Sequence, residues 1–308
     1  MAGMRRPLVA GAVALGLVTR TAARRRALLA RVRNDQRQPS ALRPPPGEYR
    51  MTVVIPAYTE AERIGDTVAE VRAALADVDA AEQFEVIVVD DGSGDDTAEA
   101  ARAAKADQVL VLAENRGKGA AVRAGVLAAR GRTIAFTDAD LSYPPTQLVR
   151  LLTEIEAGFD VVVGSRKHIE ATTLVRAGRL RVLSGRIFNL LTLAVLLGHY
   201  RDTQCGIKAF RSDVARTLFS RARIDGFAFD VEVFHLIERD RLSLKEVPVA
   251  LANSETSTVR VGIDAARMLR DLFRIRWWGY RGLYDVPGDA PHPATKGPKA
   301  PQLGSAPG

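Results

Sequence analysis

Hydrophobic and polar residues alternate along residues 51–166 in a way that predicts strands and helices in turn. Short apolar runs rich in Val and Ile predict strands at MTVVIPAY, FEVIVVDDGS, QVLVL, TIAFTD and FDVVVGSR. Apolar residues at helical spacing between these runs predict helices over Thr59–Ala76, Asp95–Lys105, Lys118–Arg130 and Thr146–Ala157. Strands that alternate with short helices form a parallel sheet with helices on both faces. The predicted fold is therefore α/β and Rossmann-like, with a mostly parallel sheet.

The pattern in the second half of the chain is less regular. Residues 174–200 begin with arginines and become apolar on nearly every helical face over Ile187–Leu197, which is typical of a helix buried in a protein core or in lipid. Two helices and a strand are predicted after this segment, at Ser212–Ala222, FDVEVFHLIERD and LKEVPVAL. The last predicted helix, near Ile263–Arg276, ends in RIRWWGYRGLY, whose aromatic and arginine residues are typical of a membrane interface.

Positive charge is concentrated at the start of the chain. The 308 residues carry a formal net charge of +8, but residues 1–50 alone hold eleven arginines and two acidic residues, so the remainder is close to neutral. Such an arm suits nucleic acid or an anionic membrane surface, where each cation contributes about 1 kcal/mol. The apolar run at residues 7–19 is shorter than the roughly twenty residues of a spanning helix. We favour the membrane over nucleic acid, and expect a peripheral protein, or one with a short N-terminal anchor, on the cytoplasmic face of the cell membrane.

These patterns divide the chain into three parts. We predict a basic N-terminal arm with a short apolar anchor at residues 1–48, an α/β domain at residues 49–286, and a disordered tail rich in Pro, Gly and Ala at residues 287–308. The α/β domain would include interfacial helices near residues 179–198 and 263–282. The single cysteine, Cys205, excludes a disulfide framework and a cysteine-rich metal site.

Polar clusters follow four of the predicted strands at their carboxyl ends. They read PAYTE, DDGS, DAD and GSR, whereas the turns at the opposite edge carry no comparable cluster. In open α/β sheets, ligands bind beyond the carboxyl ends of the strands. We therefore expect the four clusters to form one site.

The acids of these clusters predict a cation and a nucleotide as ligands. Asp138 and Asp140 in DAD are hard oxygen ligands that repel one another, and they suit Mg²⁺ or Mn²⁺ shared with the phosphates of a substrate. Asp90 and Asp91 in DDGS can accept hydrogen bonds from a base or a ribose. Lys118, at a glycine-rich helix start, suits a phosphate. The alternative for each cluster is a solvated turn whose acids cap the next helix.

Seven motifs of the chain occur together in a known family. They are VVIPAYTE, VIVVDDGSGDDT, NRGKGAAV, FTDADLSYPP, VVGSR, RDTQCGIKAFR and FAFDVEV, and the resemblance that they carry covers about Arg50 to Tyr284. In this order they resemble the family-2 inverting glycosyltransferases of the GT-A type. Within that family, RDTQCG and FAFDVE make the chain most similar to the dolichyl- or polyprenyl-phosphate β-glucosyltransferases, with the dolichyl-phosphate mannose synthases as near relatives.

The resemblance implies a role for individual residues of this chain. The nucleoside would be held at the ends of the first two strands, by Pro56, Ala57, Tyr58, Glu60, Asp90 and Asp91. Lys118 would face a phosphate, and Asp138, Ala139 and Asp140 would lie along the sugar nucleotide. The cation, Mg²⁺ or Mn²⁺, would be bound by Asp140, with Asp138 as a second ligand. The acceptor phosphate would be bound by Arg166, Arg181 and Ser184. The transferred sugar would lie near Asp202 and Gln204.

The reaction that the resemblance implies is transfer of a hexose, glucose from UDP-glucose, to polyprenyl phosphate with inversion. Thr258 stands where the family carries a Lys, which puts one phosphate contact in question, and Thr59 replaces the usual Asn. The stretch FRIRW lacks the Gln of the Gln-x-x-Arg-Trp motif of processive synthases, which argues against a polysaccharide polymerase. Two alternatives stay open, a GDP-mannose-dependent mannosyltransferase acting on the same lipid and a non-catalytic sugar-nucleotide-binding membrane scaffold.

Overall fold

The computed structural model describes residues 38–40, 43–76, 83–166, 203–251 and 263–285. Within these ranges the chain forms one seven-stranded sheet. Its strands are β1 (Tyr49–Ala57), β2 (Phe84–Asp90), β3 (Gln108–Val111), β4 (Gly131–Phe136), β5 (Val161–Ser165), β6 (Lys208–Arg211) and β7 (Leu244–Pro248). The helices are α1 (Ile64–Ala76), α2 (Thr97–Ala103), α3 (Lys118–Ala128), α4 (Thr146–Glu156), α5 (Ser212–Arg221), α6 (Phe229–Arg239) and α7 (Ile263–Tyr280).

The sheet is mostly parallel, as the alternation of strands and helices predicts. Its strand order is β3-β2-β1-β4-β6-β5-β7, and β6 alone among these strands runs antiparallel to its neighbours. The sequence did not predict β6, because its four residues, KAFR, are too few to show a period. β6 lies between β4 and β5 and runs in the opposite direction to both. The residues that precede β6 therefore lie at the edge where the parallel strands end.

Helices cover both faces of the sheet, and each face has its own apolar core. On one face, α3, α5, α6 and α7 pack over side chains such as Val54, Phe136 and Phe210. On the other face, α1, α2 and α4 pack over side chains such as Val53 and Ile55. The central strands are buried on both faces, which explains their continuous run of Val and Ile instead of an alternating pattern.

The predicted helix Thr59–Ala76 is shorter in the structure. The backbone of Thr59 is left-handed, with a φ of 58°, and the helix begins only at Ile64 after a turn. The residues before Ile64 are therefore part of the loop that follows β1, where they lie beside the polar clusters of the neighbouring strands.

The predicted interfacial helices have different outcomes. The region near 263–282 contains the 18-residue helix α7. The region near 179–198, the basic arm at 1–37, the tail from 286 and Thr258 lie outside the described residues. In the part of the chain that the structure describes, no helix is both long and apolar enough to cross a membrane.

Candidate active site at the carboxyl edge of the sheet

The polar clusters meet where the direction of strand order reverses. The chain passes from β1 to β2 on one side, and later adds β4 on the other side of β1. Such a switch point opens a crevice beyond the strand ends. Pro56 lies just past the last paired residues of β1 and β4, Val54 and Phe136, and it has no N–H to continue the ladder. The strands can therefore separate there, between Tyr58 and Asp138.

The loop after β1 places a carboxylate in a field of other carboxylates. Tyr58 is half exposed, and the backbone N–H of Glu60 donates to Thr97 Oγ1 at 2.9 Å. Glu60 Oε2 is buried and accepts no hydrogen bond, although Arg63 Nε lies 2.8 Å from it as an ion pair. Burial raises the pKa of Glu60; Arg63 opposes this rise, and the charges of Asp140, Asp95 and Asp138 add to it. The loop thus holds excess negative charge.

The two acids at the end of β2, Asp90 and Asp91, accept hydrogen bonds from backbone N–H groups. Asp90 accepts from the N–H of Ser93 at 2.9 Å. Asp91 accepts from the N–H groups of Arg116 and Gly117 at 2.9 and 2.7 Å, so it fixes the loop that leads into α3. Burial raises the pKa of Asp91, and these two N–H groups oppose the rise. Contact of either acid with a nucleoside stays a prediction.

Gly117 brings the start of α3 close to another loop. Its φ is 110°, a conformation that favours glycine, and a Cβ there would lie 2.7 Å from the carbonyl oxygen of Asp225. The N–H of Ala120 donates to that same oxygen at 3.1 Å. A carbonyl oxygen of the protein itself therefore accepts from an N–H group at this helix start. The side chain of Lys118 is the group here that can bind a phosphate.

Asp138 lies in a niche formed by a glycine and a lysine. Lys118 Nζ donates to Asp138 Oδ1 in an ion pair whose two side chains are about a quarter exposed. On the other side, a Cβ at Gly206 would collide with the Asp138 carboxylate, so only glycine leaves room for it there. Burial lowers the pKa of Lys118, but the carboxylates of Asp138 and Asp230 outweigh burial and raise it.

The two acids of DAD have different surroundings. Asp140 accepts from the N–H and the hydroxyl of Ser142, at 2.9 and 2.8 Å, and among the residues that the structure describes it forms no hydrogen bond with a cationic side chain. Ala139 between them is buried, and its carbonyl oxygen accepts from Thr67 Oγ1 at 2.6 Å. Asp138 therefore pairs with Lys118 on α3, whereas the charge of Asp140 acts on Glu60 in the loop after β1.

A buried ion pair lies beneath this site, and the sequence did not predict it. Lys208, on β6, is 1% exposed and donates to Asp230 Oδ1 at 2.6 Å and to the carbonyl oxygen of Cys205 at 2.7 Å. Burial raises the pKa of Asp230; Lys208 and Lys118 oppose the rise, and Asp138 adds to it. Lys208 and Asp230 each stand in an otherwise apolar run, GIKAF and FAFDV, and a single charge in an apolar run is the sequence signal that could have indicated this pair.

The remaining predicted residues lie at the same edge or outside the described ranges. Arg166 is exposed directly after β5, and Gln204 is half buried in the segment before β6. Ser165, at the end of β5, is buried, and its Oγ has no hydrogen-bond partner among the described residues. Arg181, Ser184 and Asp202 lie outside the described residues.

The donor atoms at this edge fit a hard divalent cation that shares its ligands with a substrate. Glu60 Oε2 is a buried carboxylate oxygen whose neighbouring cation is Arg63, and Asp138 and Asp140 contribute to the same negative field. Over the described ranges, no group of three or more His, Cys, Asp or Glu side chains is placed to hold an ion by itself. Mg²⁺ is commonly held by one or two carboxylates, with water and substrate phosphates as its other ligands.

Comparison with solved structures agrees with this fold. Glucosyl-3-phosphoglycerate synthase from Mycobacterium tuberculosis, crystallised with Mn²⁺, UDP and glucosyl-3-phosphoglycerate, superposes with a TM-score of 0.56 at 23% identity, over 75% of this chain and 81% of that one. The same protein crystallised with Mg²⁺ and UDP gives the same TM-score at 22% identity. At this level of identity the likeness establishes the fold alone, which is the GT-A-like α/β fold.

Comparison of sequences identifies the family. The dolichyl-phosphate β-glucosyltransferase of Drosophila melanogaster is 35% identical over 75% of each chain, and the human protein of the same name is 31% identical over 74% of this chain and 75% of its own length. The sequence model of the family described as glycosyl transferase family 2 matches residues 52–219, which contain most of β1, all of β2 to β6 and all four polar clusters. The chain is therefore a glycosyltransferase and belongs to glycosyltransferase family 2.

Proposed function

We propose that the protein transfers glucose from UDP-glucose to a polyprenyl phosphate of the dolichyl type, with inversion at the anomeric carbon. The observation that carries this proposal is the site at the switch point between β1 and β4, where Asp138, Asp140 and Lys118 meet in a chain whose relatives are named dolichyl-phosphate β-glucosyltransferases. A carboxylate pair beside a lysine suits a nucleoside diphosphate with its cation.

The donor would lie across the carboxyl ends of β1, β2 and β4. Pro56, Ala57 and Tyr58 lead from β1 into the crevice, and Tyr58 is exposed enough to contact a base. Glu60, Asp90 and Asp91 can accept from base or ribose hydrogen-bond donors. Because Asp91 already fixes the loop before α3, it would place the nucleoside and Lys118 relative to each other.

Asp138 and Asp140 would hold Mg²⁺ or Mn²⁺ together with the donor's diphosphate. When bound, the cation stabilises the negative charge that develops on the departing nucleoside diphosphate. Lys118 Nζ, which lies at Asp138, would donate to the same diphosphate. Ser142 holds Asp140 in place through two hydrogen bonds, so this carboxylate is oriented before any ligand arrives.

The acceptor would approach from the side of β5 and β6. Arg166, directly after β5, would bind its phosphate together with Arg181 and Ser184, and Asp202 and Gln204 would lie beside the sugar. One phosphate oxygen attacks the anomeric carbon, and the bond from that carbon to the diphosphate oxygen breaks on the opposite side. The nucleophile is an anion already at neutral pH, so the reaction requires no strong general base.

A polyprenyl acceptor also implies a membrane surface as partner. Each CH₂ group that leaves the bilayer costs about 0.8 kcal/mol, so the protein must go to the lipid. The eleven arginines within residues 1–50 suit the anionic cytoplasmic leaflet, and we propose this location, with nucleic acid not a partner.

A donor screen tests the proposed reaction. The purified full chain is incubated with Mg²⁺, polyprenyl phosphate in detergent and either labelled UDP-glucose or labelled GDP-mannose, and label is followed into chloroform-soluble product. We expect label from UDP-glucose, in a product whose anomeric proton coupling shows the β configuration. Label from GDP-mannose alone would replace glucose with mannose, and no lipid-linked label from any donor would contradict the proposal.

A further inference from the structure

We propose that Lys118 is a resident counter-ion of Asp138, which is exchanged for the divalent cation only when the donor's diphosphate arrives, so that cation binding depends on the nucleotide. This inference rests on the proposed cation and donor of the site. It concerns the order and coupling of their binding, which the proposed function leaves open.

The first observation is that Lys118 already pairs with the carboxylate oxygen of Asp138 that points away from Gly206. Its Nζ donates to Asp138 Oδ1, and no other cationic side chain pairs with Asp138 in the described part of the chain. The other side of the carboxylate is closed, because it lies against the backbone at Gly206. A cation that binds Asp138 must therefore approach from the side where the ammonium group lies.

The second observation is that Lys118 has another carboxylate within its field. Asp230, on α6, is 5% exposed and attracts Lys118, and Lys208 holds it in place from below through a 2.6 Å hydrogen bond. If Lys118 leaves Asp138, its charge is still partly neutralised by Asp230. Lys118 can consequently change partners without becoming an unpaired buried charge, which would be costly.

The third observation is that the ion pair is partly open to solvent. The side chains of Lys118 and Asp138 are 23% and 26% exposed, in contrast to the closed pair of Lys208 and Asp230 beneath them. An incoming diphosphate can therefore reach Lys118 and offer it more negative charge than one carboxylate does. Once Lys118 has left it, the Asp138 carboxylate is available to bind the cation. The diphosphate oxygens supply further ligands.

Competition of this kind links the two binding events. Without nucleotide, a divalent cation has to displace an ammonium group from Asp138 and should bind weakly. With the diphosphate present, that displacement has already taken place. Because coupling between two ligands is reciprocal, the cation must strengthen nucleotide binding by the same factor.

Binding of Mn²⁺ to the full chain, measured from the electron paramagnetic resonance signal of free Mn²⁺, tests the inference. Titrations are made with and without UDP on the parent chain, on Lys118→Met, and on Lys105→Met, which removes the charge of an exposed lysine in the turn before β3. For Lys118→Met we expect Mn²⁺ without UDP to bind about tenfold more tightly than to the parent, within the usual range of coupling between ligands. UDP without Mn²⁺, measured by calorimetry, should bind more weakly, and Lys105→Met should match the parent in both.

The outcomes separate this inference from the proposed function. Equal or weaker Mn²⁺ binding by a folded Lys118→Met chain, with thermal unfolding as the check, would overturn the counter-ion role. Lys118→Arg keeps the charge and should keep the weak nucleotide-free binding; tight Mn²⁺ binding by this variant would overturn the role as well. If the parent binds no Mn²⁺ even with UDP, the proposed cation site itself is wrong.

Discussion

Asp138 and Asp140 are one residue apart, yet the fold gives their carboxylates different partners. Asp138 pairs with Lys118, whereas Asp140 is held by the N–H and hydroxyl of Ser142. The sequence predicted both as cation ligands from residue type and position after a strand. It could not predict the lysine on one of them, because residues 118 and 138 are brought together only by the packing of α3 on the sheet.

Replacement of Asp140 by Asn should abolish transfer and leave the fold intact. The amide removes the charge that a hard cation requires, and changes in the surroundings of a metal ligand already cost about 10–100-fold, so loss of a ligand should cost at least as much. We expect the fold to stay intact because, within the described ranges, the side chain of Asp140 forms hydrogen bonds with the nearby Ser142 alone. The measurements are the rate of glucosyl transfer and the thermal unfolding curve.

The matched control for Asp140→Asn is Ser142→Ala, which frees one carboxylate oxygen but keeps the charge and should lose less activity. Excess EDTA should also stop the parent enzyme, and Mg²⁺ or Mn²⁺ should restore it. A parent enzyme that runs at full rate in excess EDTA would remove the basis for assigning Asp140 to a cation.

Among the elements, those with a clear period were predicted and those defined by tertiary contacts were not. The long apolar runs of β1 and β2 and the amphipathic α4 follow from their own sequence. The four-residue β6 exists because β4 and β5 pair with it on both sides, and α1 begins late because Thr59 takes a left-handed backbone. Both departures lie at the carboxyl edge, where the chain forms the site instead of extending regular structure.

The end of α7 is attached to α6 by a buried carboxylate. Glu232 accepts from the N–H groups of Arg223 and Ile224 and, at 2.6 Å, from the hydroxyl of Tyr284, which is fully buried. Burial raises the pKa of Glu232, and the Tyr284 hydroxyl opposes this rise, as the hydroxyl favours the charged form. The loop between α5 and α6, which contacts Gly117 through Asp225, is thereby tied to the C-terminal turn.

We expect Tyr284→Phe to lower the free energy of unfolding by about 1–3 kcal/mol, since it leaves a buried carboxylate oxygen with one donor fewer. In a domain of this size that corresponds to a fall of roughly 2–4 °C in Tm for each kcal/mol. Tyr280→Phe is the control, because Tyr280, the last residue of α7, is 90% exposed and its replacement should leave Tm unchanged. Equal Tm values for the two variants in differential scanning calorimetry would show that the Glu232 contact does not stabilise the fold.

In the molecule as a whole, apolar surface and positive charge coincide on α7. Leu269, Phe273, Trp277 and Tyr280 are exposed and fall within about 80° of the helix circumference at 100° per residue. Arginines flank this stripe: Arg274 lies over the ring of Trp278 and Arg281 over that of Trp277, at 4.7 and 5.0 Å from the ring centroids. The opposite side of α7 is buried in the core through Leu272 and Ile275. An aromatic stripe beside arginines is typical of a helix that lies in a membrane interface.

The position of α7 would bring the active site toward that surface. Asp271, on α7, lies beside Gly226, and Gly226 in turn lies against Gly117 at the start of α3. α7 is thus next to the part of the site where Lys118, on α3, meets Asp138 at the carboxyl edge of the sheet. A lipid-linked phosphate at a bilayer under α7 would have a short path to the crevice, and the arginines of the helix would meet anionic headgroups.

Replacement of Phe273, Trp277 and Tyr280 by Ser should reduce flotation of the full chain with anionic vesicles by about tenfold or more, because each buried aromatic side chain contributes a few kcal/mol to membrane binding. Transfer to a long-chain acceptor in vesicles should fall with it, while Tm stays at the parent value, since the three side chains are 67%, 51% and 90% exposed. Val111→Ser with Leu127→Ser removes two exposed apolar side chains on β3 and α3 and should change neither quantity. If the triple variant floats as well as the parent, α7 is not the membrane contact. The arginine-rich residues 1–48 then become the part of the chain to test. Their attraction to anionic vesicles is electrostatic, so high salt would abolish it.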